Sequence, residues 1–385
     1  MLTEIIHERI RDRQNRNLMR ERFSIKNRNA NTVIVGNNSF INFSSNDYLS
    51  LSTHPSVKKA FVDAVNTYGV GSSSSALISG YYSPHKLLEE KMAEFLQRER
   101  AILFNSGYAA NLGVMTALAE RHSHFVADKL CHASLLDGMQ LSRAKLIRYR
   151  HNDLNHLELC LKQQMNNCLI VTESIFGMKG NITPLNQIAL LAKKQAINLI
   201  VDDAHAVGIL GKNGRGIIEH FNLKASDITC LITPLGKSFG SMGAIVSGEH
   251  DVIEHILQFS RSYGYTTALP PAIAAASLTA LHVLQSETWR REKLMSLCDY
   301  FNQYADEKGI NLISTELTPI KSIRVGDNKL ALSIAAAMKH AGFLISCIRM
   351  PTVPNGEACL RISLTSDHHQ NDIDKLLDEL SGLLC

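Results

Sequence analysis

The chain has 385 residues, a formal net charge of +4, and 45% hydrophobic and 20% charged residues, which is typical of a globular protein with a large core and excludes an intrinsically disordered one. The small positive charge gives no argument for nucleic-acid binding, and no apolar run reaches the ~18–20 residues that a membrane span needs. Because the N-terminus is charged throughout and lacks the apolar region of a secretory signal, we expect a cytoplasmic protein that binds no membrane.

The first elements in chain order are a helix and a hairpin. Residues 1–25 carry apolar side chains at helical spacing among many arginines and predict an amphipathic helix. Its apolar positions are Ile5, Ile6, Ile10, Leu18 and Met19. The segment VIVGNNSFINF predicts a β-hairpin around Gly36-Asn37. We expect these elements to form an N-terminal arm over residues 1–45.

From residue 46 to about residue 275, short apolar runs alternate with helical patterns. The runs are rich in aliphatic residues, as in CLIVTES (168–174), NLIVDD (198–203) and TCLIT (229–233). Helical segments such as HKLLEEKMAEFLQ (85–97) separate most of them. Apolar strands connected by helices predict an α/β fold, with a mostly parallel central sheet covered on both faces, as a large domain over residues 46–275.

The pattern changes after about residue 275. A long helical stretch over 271–308 precedes the strand-like segments GINLIS, IKSIRV, FLISCIR and ACLRISL. Helical patterns also occur at 329–341 and 370–383. This order predicts a smaller α+β domain over residues 276–385.

The cysteine and histidine patterns give no argument for a disulfide framework or a metal site. Eight cysteines occur without CxxC spacing and mostly within apolar segments, which is typical of reduced thiols in a cytoplasmic protein. The pairs His122/His124 and His368/His369 have no further ligands at a useful spacing. We therefore expect no bound metal ion.

Several chemically reactive side chains follow predicted strands, where ligands bind in an open parallel sheet. These side chains are His132, Glu173, Asp202, Asp203, His205 and Lys237. The segment FNSGYAAN (104–111) joins a strand to a helix through Ser106-Gly107, and the N–H groups at a helix start bind phosphate. A phosphate cradle, an acid, an imidazole and a lysine at neighbouring strand ends match the needs of pyridoxal phosphate (PLP).

Each of these groups has a role with PLP, and each also has an ordinary structural explanation. A lysine forms a Schiff base with the aldehyde of PLP, and an apolar setting favours the neutral amine that this requires. A carboxylate at the pyridine nitrogen keeps the ring protonated, so that the ring accepts electrons. Alternatively, Lys237 is a surface residue, the aspartates of DDAH cap a helix, and His132 is a hydrogen-bonded structural histidine. Both explanations stay open at this point.

Longer motifs resemble the α-oxoamine synthases, which are fold-type-I PLP enzymes. The resemblance runs in order from about residue 15 to the C-terminus, on the segments NFSSNDYLSL, FNSGYAAN, CHASLLDG, VDDAHAVGILGKNGRG, LGKSFG, TTALPP and RMPTVPNGEACLRISLT. It implies an aspartate-aminotransferase-like fold and a decarboxylative condensation of an amino acid with an acyl thioester. The SSNDYL and PTVPNG segments and the compact length are most similar to members that join L-alanine to a pimeloyl thioester in biotin synthesis.

The resemblance implies catalytic roles for four side chains. Lys237 would hold PLP and move the Cα proton of the amino acid. Asp202 would pair with the pyridine nitrogen, and His205 would hydrogen-bond the phenolic oxygen. His132 would stack on the cofactor ring.

The same resemblance implies the phosphate contacts. Backbone at Gly107 and Tyr108 would bind the phosphate within one subunit. Thr266 and Thr267 match contacts that the family supplies from the neighbouring subunit. We therefore expect a homodimer with shared active sites.

Substrate positions also follow from the resemblance. Arg361 would hold the amino-acid carboxylate, because a planar guanidinium binds a carboxylate through two hydrogen bonds. Arg20 and Thr352 match positions associated with the acyl substrate, and His132 would contact substrate as well. The acyl group would arrive as pimeloyl-CoA or pimeloyl-acyl carrier protein, and the sequence leaves both carriers open.

Three segments depart from the family's usual sequence. Pro234 stands where the family usually places a phosphate-binding threonine, and GSSSSA (71–76) replaces a glycine-rich segment. Gly177, at a predicted cofactor-binding position, replaces a serine, and Lys179 replaces an aspartate. Losing two hydroxyl contacts costs roughly 0.5–1.5 kcal/mol each. We therefore expect weaker PLP retention and not a lost activity.

Two other functions stay open from the sequence. One is a sibling synthase that uses glycine, serine or a longer acyl chain. The other is a catalytically silent paralogue that keeps the fold as a dimeric binding or regulatory protein, which the departures at Pro234 and Gly177 motivate.

Overall fold

The computed structural model describes residues 2–163 and 167–384. Two compact units divide the chain, and the large unit contains Leu49–Phe176 and Asn181–Arg291. The small unit contains the described residues of Met1–Tyr48, Gly177–Gly180 and Glu292–Cys385. The N-terminal segment thus belongs to the same unit as the C-terminal segment, and the expected boundaries at residues 45 and 275 stay predictions.

Strands and helices follow one another along most of the chain. The strands are β1 (Ile25–Asn29), β2 (Thr32–Val35), β3 (Asn38–Asn42), β4 (Arg100–Phe104), β5 (His124–Asp128), β6 (Lys145–Tyr149), β7 (Cys168–Glu173), β8 (Asn198–Asp202), β9 (Cys230–Pro234), β10 (Ala244–Gly248), β11 (Ile320–Gly326), β12 (Phe343–Leu344), β13 (Ser346–Ile348) and β14 (Ala358–Ser363). The helices are α1 (Leu2–Asn15), α2 (Pro55–Tyr68), α3 (Ser83–Leu96), α4 (Gly107–Leu118), α5 (Ala133–Leu141), α6 (Leu154–Lys162), α7 (Leu185–Lys194), α8 (Ile217–His220), α9 (His250–Phe259), α10 (Arg261–Gly264), α11 (Pro271–Ser286), α12 (Trp289–Glu307), α13 (Asn328–His340) and α14 (Gln370–Leu384).

The large unit is built on a seven-stranded sheet with the order β4–β10–β9–β8–β7–β5–β6. Strands β9, β8, β7, β5 and β6 run parallel, whereas β10 is antiparallel to both β4 and β9. Every residue of β7 is buried, as expected for a parallel strand whose sequence lacks polar alternation. The predicted α/β fold with a mostly parallel central sheet is confirmed.

A hydrophobic cluster fixes α4 and α5 against this sheet. It includes Phe104 of β4, Val114 of α4, Leu135 of α5, Ile200 of β8 and Ile256 of α9, all buried. Burying side chains of this size stabilises the fold by roughly 1.5–3 kcal/mol each. Because α4 and α5 begin just after β4 and β5, this packing also fixes what stands at the carboxyl ends of those strands.

The small unit contains two smaller sheets, with the orders β1–β2–β3–β12 and β11–β14–β13. Strands β2 and β3 form the predicted hairpin, in which Val35 lies opposite Asn38. The turn between them contains Gly36, which has a φ of 62°. The hairpin prediction around Gly36-Asn37 is therefore confirmed.

The N-terminal helix is shorter than predicted. It ends at Asn15 and not near residue 25. Asn17 adopts a left-handed conformation with a φ of 55°, and Leu18 N donates to Arg13 O at 2.8 Å. This pairing closes the last turn of a helix at a left-handed residue, and Leu18 is buried beyond the helix end.

Three C-terminal elements also differ from prediction. The helical stretch over 271–308 is divided into α11 and α12, because Glu287 leaves the helical region with a φ of −103° and a ψ of 59°. The segment FLISCIR forms two short strands, since β12 pairs with β3 and β13 pairs with β14 in the other sheet. GINLIS contributes only an isolated bridge from Leu312 to Ile323.

The described part of the chain contains no membrane-spanning helix, no metal-binding cluster and no disulfide. Among residues 2–163 and 167–384, no helix is long and apolar enough to cross a membrane. No group of three or more His, Cys, Asp or Glu side chains in those same ranges is placed to hold a metal ion. The cysteines of the described part are free thiols, and Cys385 lies outside the described residues.

Gly216 lies in tight contact with Asp203, which follows β8. It has a φ of 87° and a ψ of −154°, and a Cβ there would lie 2.1 Å from Asp203 Oδ2. Gly69 has a similar φ of 81° and ψ of −168°, but a Cβ there would meet nothing within 4 Å. Both positions strain an alanine by ~1–3 kcal/mol, whereas only Gly216→Ala also displaces the buried Asp203 carboxylate.

We expect Gly216→Ala to lower the free energy of unfolding by at least about 1 kcal/mol more than Gly69→Ala. Urea unfolding followed by circular dichroism measures the difference. Equal losses in the two variants would contradict this account of the contact with Asp203.

Candidate active site

The carboxyl ends of β7, β8 and β9, together with the start of α5, bring four predicted side chains to one edge of the large-unit sheet. Lys237 Nζ and His205 Nε2 are 2.8 Å apart and hydrogen-bonded. Lys237 and His132 both lie close enough to act electrostatically on the carboxylate of Asp202. The structure therefore brings together Lys237, His205, Asp202 and His132, as the strand-end positions predicted.

The loop between β9 and β10 holds Lys237. Leu235 N donates to Gly243 O at 2.9 Å, which closes the base of the loop. Gly240 and Gly243 have φ values of 59° and 99°, which side-chain-bearing residues rarely adopt. The glycines therefore permit the tight loop that presents the Lys237 amine to the buried His205 ring.

Asp202 is a buried carboxylate at the end of β8. Asn111 Nδ2 donates to Asp202 Oδ2 at 2.8 Å, and Ala204 N donates to Oδ1 at 3.1 Å. Burial raises the pKa of Asp202, and the Asn111 donor and the nearby Lys237 charge oppose that rise. Such a carboxylate suits a cationic N–H partner, because a buried charge is costly unless it is paired.

His132 caps the start of α5. Its Nδ1 accepts from Ser134 N at 3.3 Å and lies 2.7 Å from Ser134 Oγ. Its backbone N donates to Glu173 Oε1 at 2.6 Å. Burial raises the pKa of Glu173, and the neighbouring Asp202 charge raises it further. The ring of His132 is exposed while its backbone and Nδ1 are held, so a flat group has a fixed surface to stack on.

The start of α4 forms the predicted phosphate cradle. Ser106 Oγ accepts from Ala109 N at 3.1 Å, and the N–H groups of Gly107 and Tyr108 lie in the first turn, where helices lack acceptors of their own. A Cβ on Gly107 would lie 2.8 Å from Cγ of Pro234. Pro234 thus stands beside this helix start, where the resemblance places a phosphate contact, and the binding of a phosphate there stays a prediction.

Thr266 and Thr267 lie in the segment between α10 and α11 of the large unit. Asn105 Nδ2 donates to Thr267 O at 2.6 Å, which places this segment beside the residue that precedes Ser106. Ala268 N donates to Ser74 O at 2.9 Å, within the GSSSSA segment. Thr267 is exposed, as a residue that serves another subunit must be, and its role there stays a prediction.

Arg361 and Gly177 lie in the small unit. The Arg361 side chain is buried and donates from all three nitrogens. Nε donates to Gly177 O at 2.7 Å, Nη1 to Ser363 Oγ at 2.8 Å and Nη2 to Asn46 Oδ1 at 3.0 Å. The guanidinium plane is therefore fixed, which suits the predicted carboxylate contact.

Arg20 and Thr352, the two predicted acyl positions, also lie in the small unit. Arg349 Nη2 donates to Met19 O at 3.1 Å, and Arg349 Nη1 donates to Asn17 O. Thr352 N donates to Arg349 O at 3.0 Å. Arg349 therefore joins the segment before Arg20 to the turn that contains Thr352.

Three residues of this site were not assigned a role from the sequence, namely Asn111, Ser134 and Glu173. Asn111 stands four residues after Gly107, on the same face of α4, and this spacing is a signal that points it toward the strand ends. Glu173 ends β7 directly opposite Asp202 on β8. Its contact with the His132 backbone depends on a loop conformation that the sequence does not reveal.

Comparisons with known proteins agree with this geometry. The family model for aminotransferase class I and II matches residues 38–380. The chain is 45% identical to an 8-amino-7-oxononanoate synthase of Saccharophagus degradans over 345 residues, which cover 89% of this chain and 87% of that protein.

Two solved structures show the same fold. One is serine palmitoyltransferase from S. paucimobilis, solved with a bound PLP–myriocin aldimine. It matches this chain with a TM-score of 0.93 at 26% sequence identity, and the match covers 99% of this chain and 96% of the serine palmitoyltransferase chain. The other is an 8-amino-7-oxononanoate synthase from Francisella tularensis, with a TM-score of 0.79 at 37% sequence identity. This match covers 89% of this chain and 97% of the Francisella chain. With its lysine, imidazoles and carboxylate at the strand ends, the chain belongs to the aminotransferase class I and II family and, within it, to the α-oxoamine synthases.

Proposed function

We propose that the protein catalyses the PLP-dependent condensation of L-alanine with a pimeloyl thioester, giving 8-amino-7-oxononanoate, carbon dioxide and the free thiol. This is a step of biotin synthesis, and we place it in the cytoplasm. The observation that carries the proposal is the Lys237 amine held 2.8 Å from the His205 ring, near the buried Asp202, in a chain 45% identical to an 8-amino-7-oxononanoate synthase.

Each of the four grouped side chains has one task in this proposal. When bound, PLP supplies an aldehyde for amines and a ring that accepts electrons from a breaking bond. The Lys237 amine removes and returns the proton at Cα, so one group serves as anchor, base and acid. Asp202 would keep the pyridine nitrogen protonated, His205 would donate to the phenolic oxygen, and His132 would support the ring face.

The start of α4 would hold the phosphate. The N–H groups of Gly107 and Tyr108 point out of the first helical turn, and the positive end of the helix dipole favours a dianion there. Pro234 closes one side of this cradle through its ring and supplies no hydroxyl donor. We therefore keep the expectation of weaker PLP retention.

The remaining contacts complete the substrate and subunit assignments. Arg361, fixed through Gly177, Ser363 and Asn46, holds the carboxylate of L-alanine. Arg20 and Thr352 contact the acyl substrate. Thr266 and Thr267 of each subunit reach the phosphate of the other, so the active protein is a homodimer.

Sequence identity separates this reaction from those of sibling enzymes. The fold is shared with serine palmitoyltransferase at a TM-score of 0.93, although only 26% of residues are identical. The 45% identity to an 8-amino-7-oxononanoate synthase covers 89% of the chain. Since one fold hosts several reactions, the identity favours the alanine and pimeloyl assignment, and the retained Lys237 argues against a silent paralogue.

A substrate panel tests the proposed reaction. We expect turnover of L-alanine with a pimeloyl thioester to exceed that of glycine at least tenfold, because one missing methyl group is worth ~1–3 kcal/mol in a fitted pocket. The full chain loaded with PLP is offered L-alanine, glycine or L-serine with pimeloyl-CoA, pimeloyl-acyl carrier protein, acetyl-CoA or palmitoyl-CoA. Carbon dioxide and free thiol are measured.

The control for the panel is Lys237→Ala. It should lose at least about 10²-fold of the turnover, because a positioned acid–base group contributes ~10²–10⁴-fold. Preference for L-serine with palmitoyl-CoA, or for glycine with acetyl-CoA, would assign a sibling reaction. Unchanged turnover in Lys237→Ala would contradict the mechanism.

The cradle generates a second prediction. Gly107→Ala should raise the Kd for PLP about tenfold, because its Cβ would meet Pro234 Cγ at 2.8 Å and displace the phosphate-binding turn by a cost of order 1.4 kcal/mol. Pro234→Ala in the same chain removes that Cγ and should regain most of the affinity. Fluorescence titration of the PLP-free chain measures each Kd. If Gly107→Ala raised the Kd for PLP equally with proline and with alanine at position 234, the contact with Pro234 would not be the cause.

A further inference from the structure

We propose that Asn111 is a positioning residue, which acts with Ser134 to join Asp202 to His132 and thereby fixes how both side chains meet the cofactor. The proposal rests on the PLP site proposed above. It concerns two residues of α4 and α5 to which the sequence motifs assigned no role.

The amide nitrogen of Asn111 bridges two elements of the site. Nδ2 donates to Asp202 Oδ2 at 2.8 Å and to Ser134 Oγ at 2.9 Å. A primary amide carries two hydrogens, so each contact uses one. Asn111, Ser134 and Asp202 are exposed by only 2%, 1% and 4%, which leaves little room for water to replace these bonds.

The chemistry of the partners fixes the direction of every bond. An ionised carboxylate only accepts, so the Asn111 nitrogen, and not its oxygen, faces Asp202. Ser134 Oγ accepts from Asn111, and its own hydrogen points to His132 Nδ1, 2.7 Å away, because the Ser134 backbone N–H already makes Nδ1 an acceptor. Ser134 N also donates to His132 Nδ1 at 3.3 Å.

Two donors on Nδ1 determine the state of the His132 ring. A nitrogen that accepts hydrogen bonds carries no proton, so His132 is neutral and its proton lies on Nε2. The ring cannot rotate without losing both donors. The link from Asp202 through Asn111 and Ser134 thus fixes the tautomer and the orientation of the ring that is proposed to stack on PLP.

The same link favours the ionised form of Asp202. Burial raises the pKa of this carboxyl, and the Asn111 donor is the main group that opposes the rise. The titratable groups that act on Asp202 or feel its charge are Lys237, His132, Glu173, Asp203 and Cys131. Without the Asn111 donor, Asp202 takes up a proton at a higher pH and no longer pairs with a protonated pyridine nitrogen.

A purely structural role for Asn111 predicts a different outcome. If the side chain only filled space in α4, leucine of similar size would replace it without affecting Asp202. Asn111 Oδ1 has no hydrogen-bond partner among the described residues, so the side chain's bonds run through its nitrogen alone. The variants Asn111→Leu and Ser134→Ala separate the two roles, and Thr116→Ala, which removes a hydroxyl bonded to Leu112 O on the same helix, is the matched control.

The test uses the full chain and two measurements other than activity. Nitrogen-15 NMR of histidine-labelled protein, without and with PLP, reports the protonation of His132 Nδ1 and Nε2, with His132→Gln identifying the signals. Titration with PLP at pH 6.5 and pH 8 gives the Kd of each variant as a ratio to the unmodified chain.

We expect His132 to carry its proton on Nε2 in the unmodified chain and in Thr116→Ala. In Ser134→Ala, where only the backbone donor at 3.3 Å remains on Nδ1, a fraction of the molecules should carry the proton on Nδ1 instead. Asn111→Leu should weaken PLP binding at least tenfold at pH 6.5 and less at pH 8, because the higher pH restores the Asp202 carboxylate. Adding Ser134→Ala to Asn111→Leu should change the Kd less than twofold, since the link is already broken.

Two results would overturn the proposal. One is Asn111→Leu binding PLP within twofold of the unmodified chain at both pH values, and the other is an unchanged His132 tautomer in Ser134→Ala. Ser134→Ala removes only a hydroxyl group, so it decides the question even if Asn111→Leu fails to fold. An unmodified chain that binds no PLP would overturn the proposed function instead, and the NMR of the PLP-free chain would still decide the link.

Discussion

The active site depends on two carboxyl groups that are buried side by side. Glu173 of β7 lies directly opposite Asp202 of β8, and each buried charge is costly unless it is paired or hydrogen-bonded. The two groups are compensated differently, because Asn111 and Ala204 donate to Asp202 whereas the backbone of His132 donates to Glu173. Like charges on neighbouring strand ends also oppose each other's ionisation. Because burial and the Asp202 charge raise the pKa of Glu173, this favours a protonated Glu173 beside an ionised Asp202.

This arrangement explains why the other residues of the site stand where they do. The Lys237 amine and the His132 ring both lie close enough to affect the Asp202 carboxylate. The first provides positive charge, and the second is held by the hydrogen bonds that begin at that carboxylate. A ligand with a cationic N–H group would complete the pairing of Asp202. The site thus combines a buried, hydrogen-bonded carboxylate with an exposed imidazole and a helix start whose N–H groups suit a phosphate.

Much of this could be predicted from the sequence because it depends on local patterns. Apolar strands predict a parallel sheet, and the ends of parallel strands meet at one edge, which is why the structure brings Lys237, Asp202, His205 and His132 together. The end of α1 could not be predicted, because it depends on the left-handed conformation of Asn17. The bridge through Asn111 requires the side-chain directions of separate elements, which periodicity does not provide.

The fold does not determine which reaction the protein catalyses. The fold is common to enzymes with different substrates, as the likeness to serine palmitoyltransferase illustrates, whereas the reaction depends on which residues the strand ends present. Pro234 shows the distinction, since it departs from the family's usual sequence, yet its ring forms one wall of the cradle at Gly107.

The proposed chemistry depends above all on Lys237 as the residue that binds the cofactor aldehyde. The most direct measurement is borohydride reduction of the PLP-loaded chain, followed by mass spectrometry of its peptides. We expect a phosphopyridoxyl group on the peptide that contains Lys237 and on no other lysine peptide. A modification confined to another lysine, or no modification of a chain that retains PLP, would contradict it.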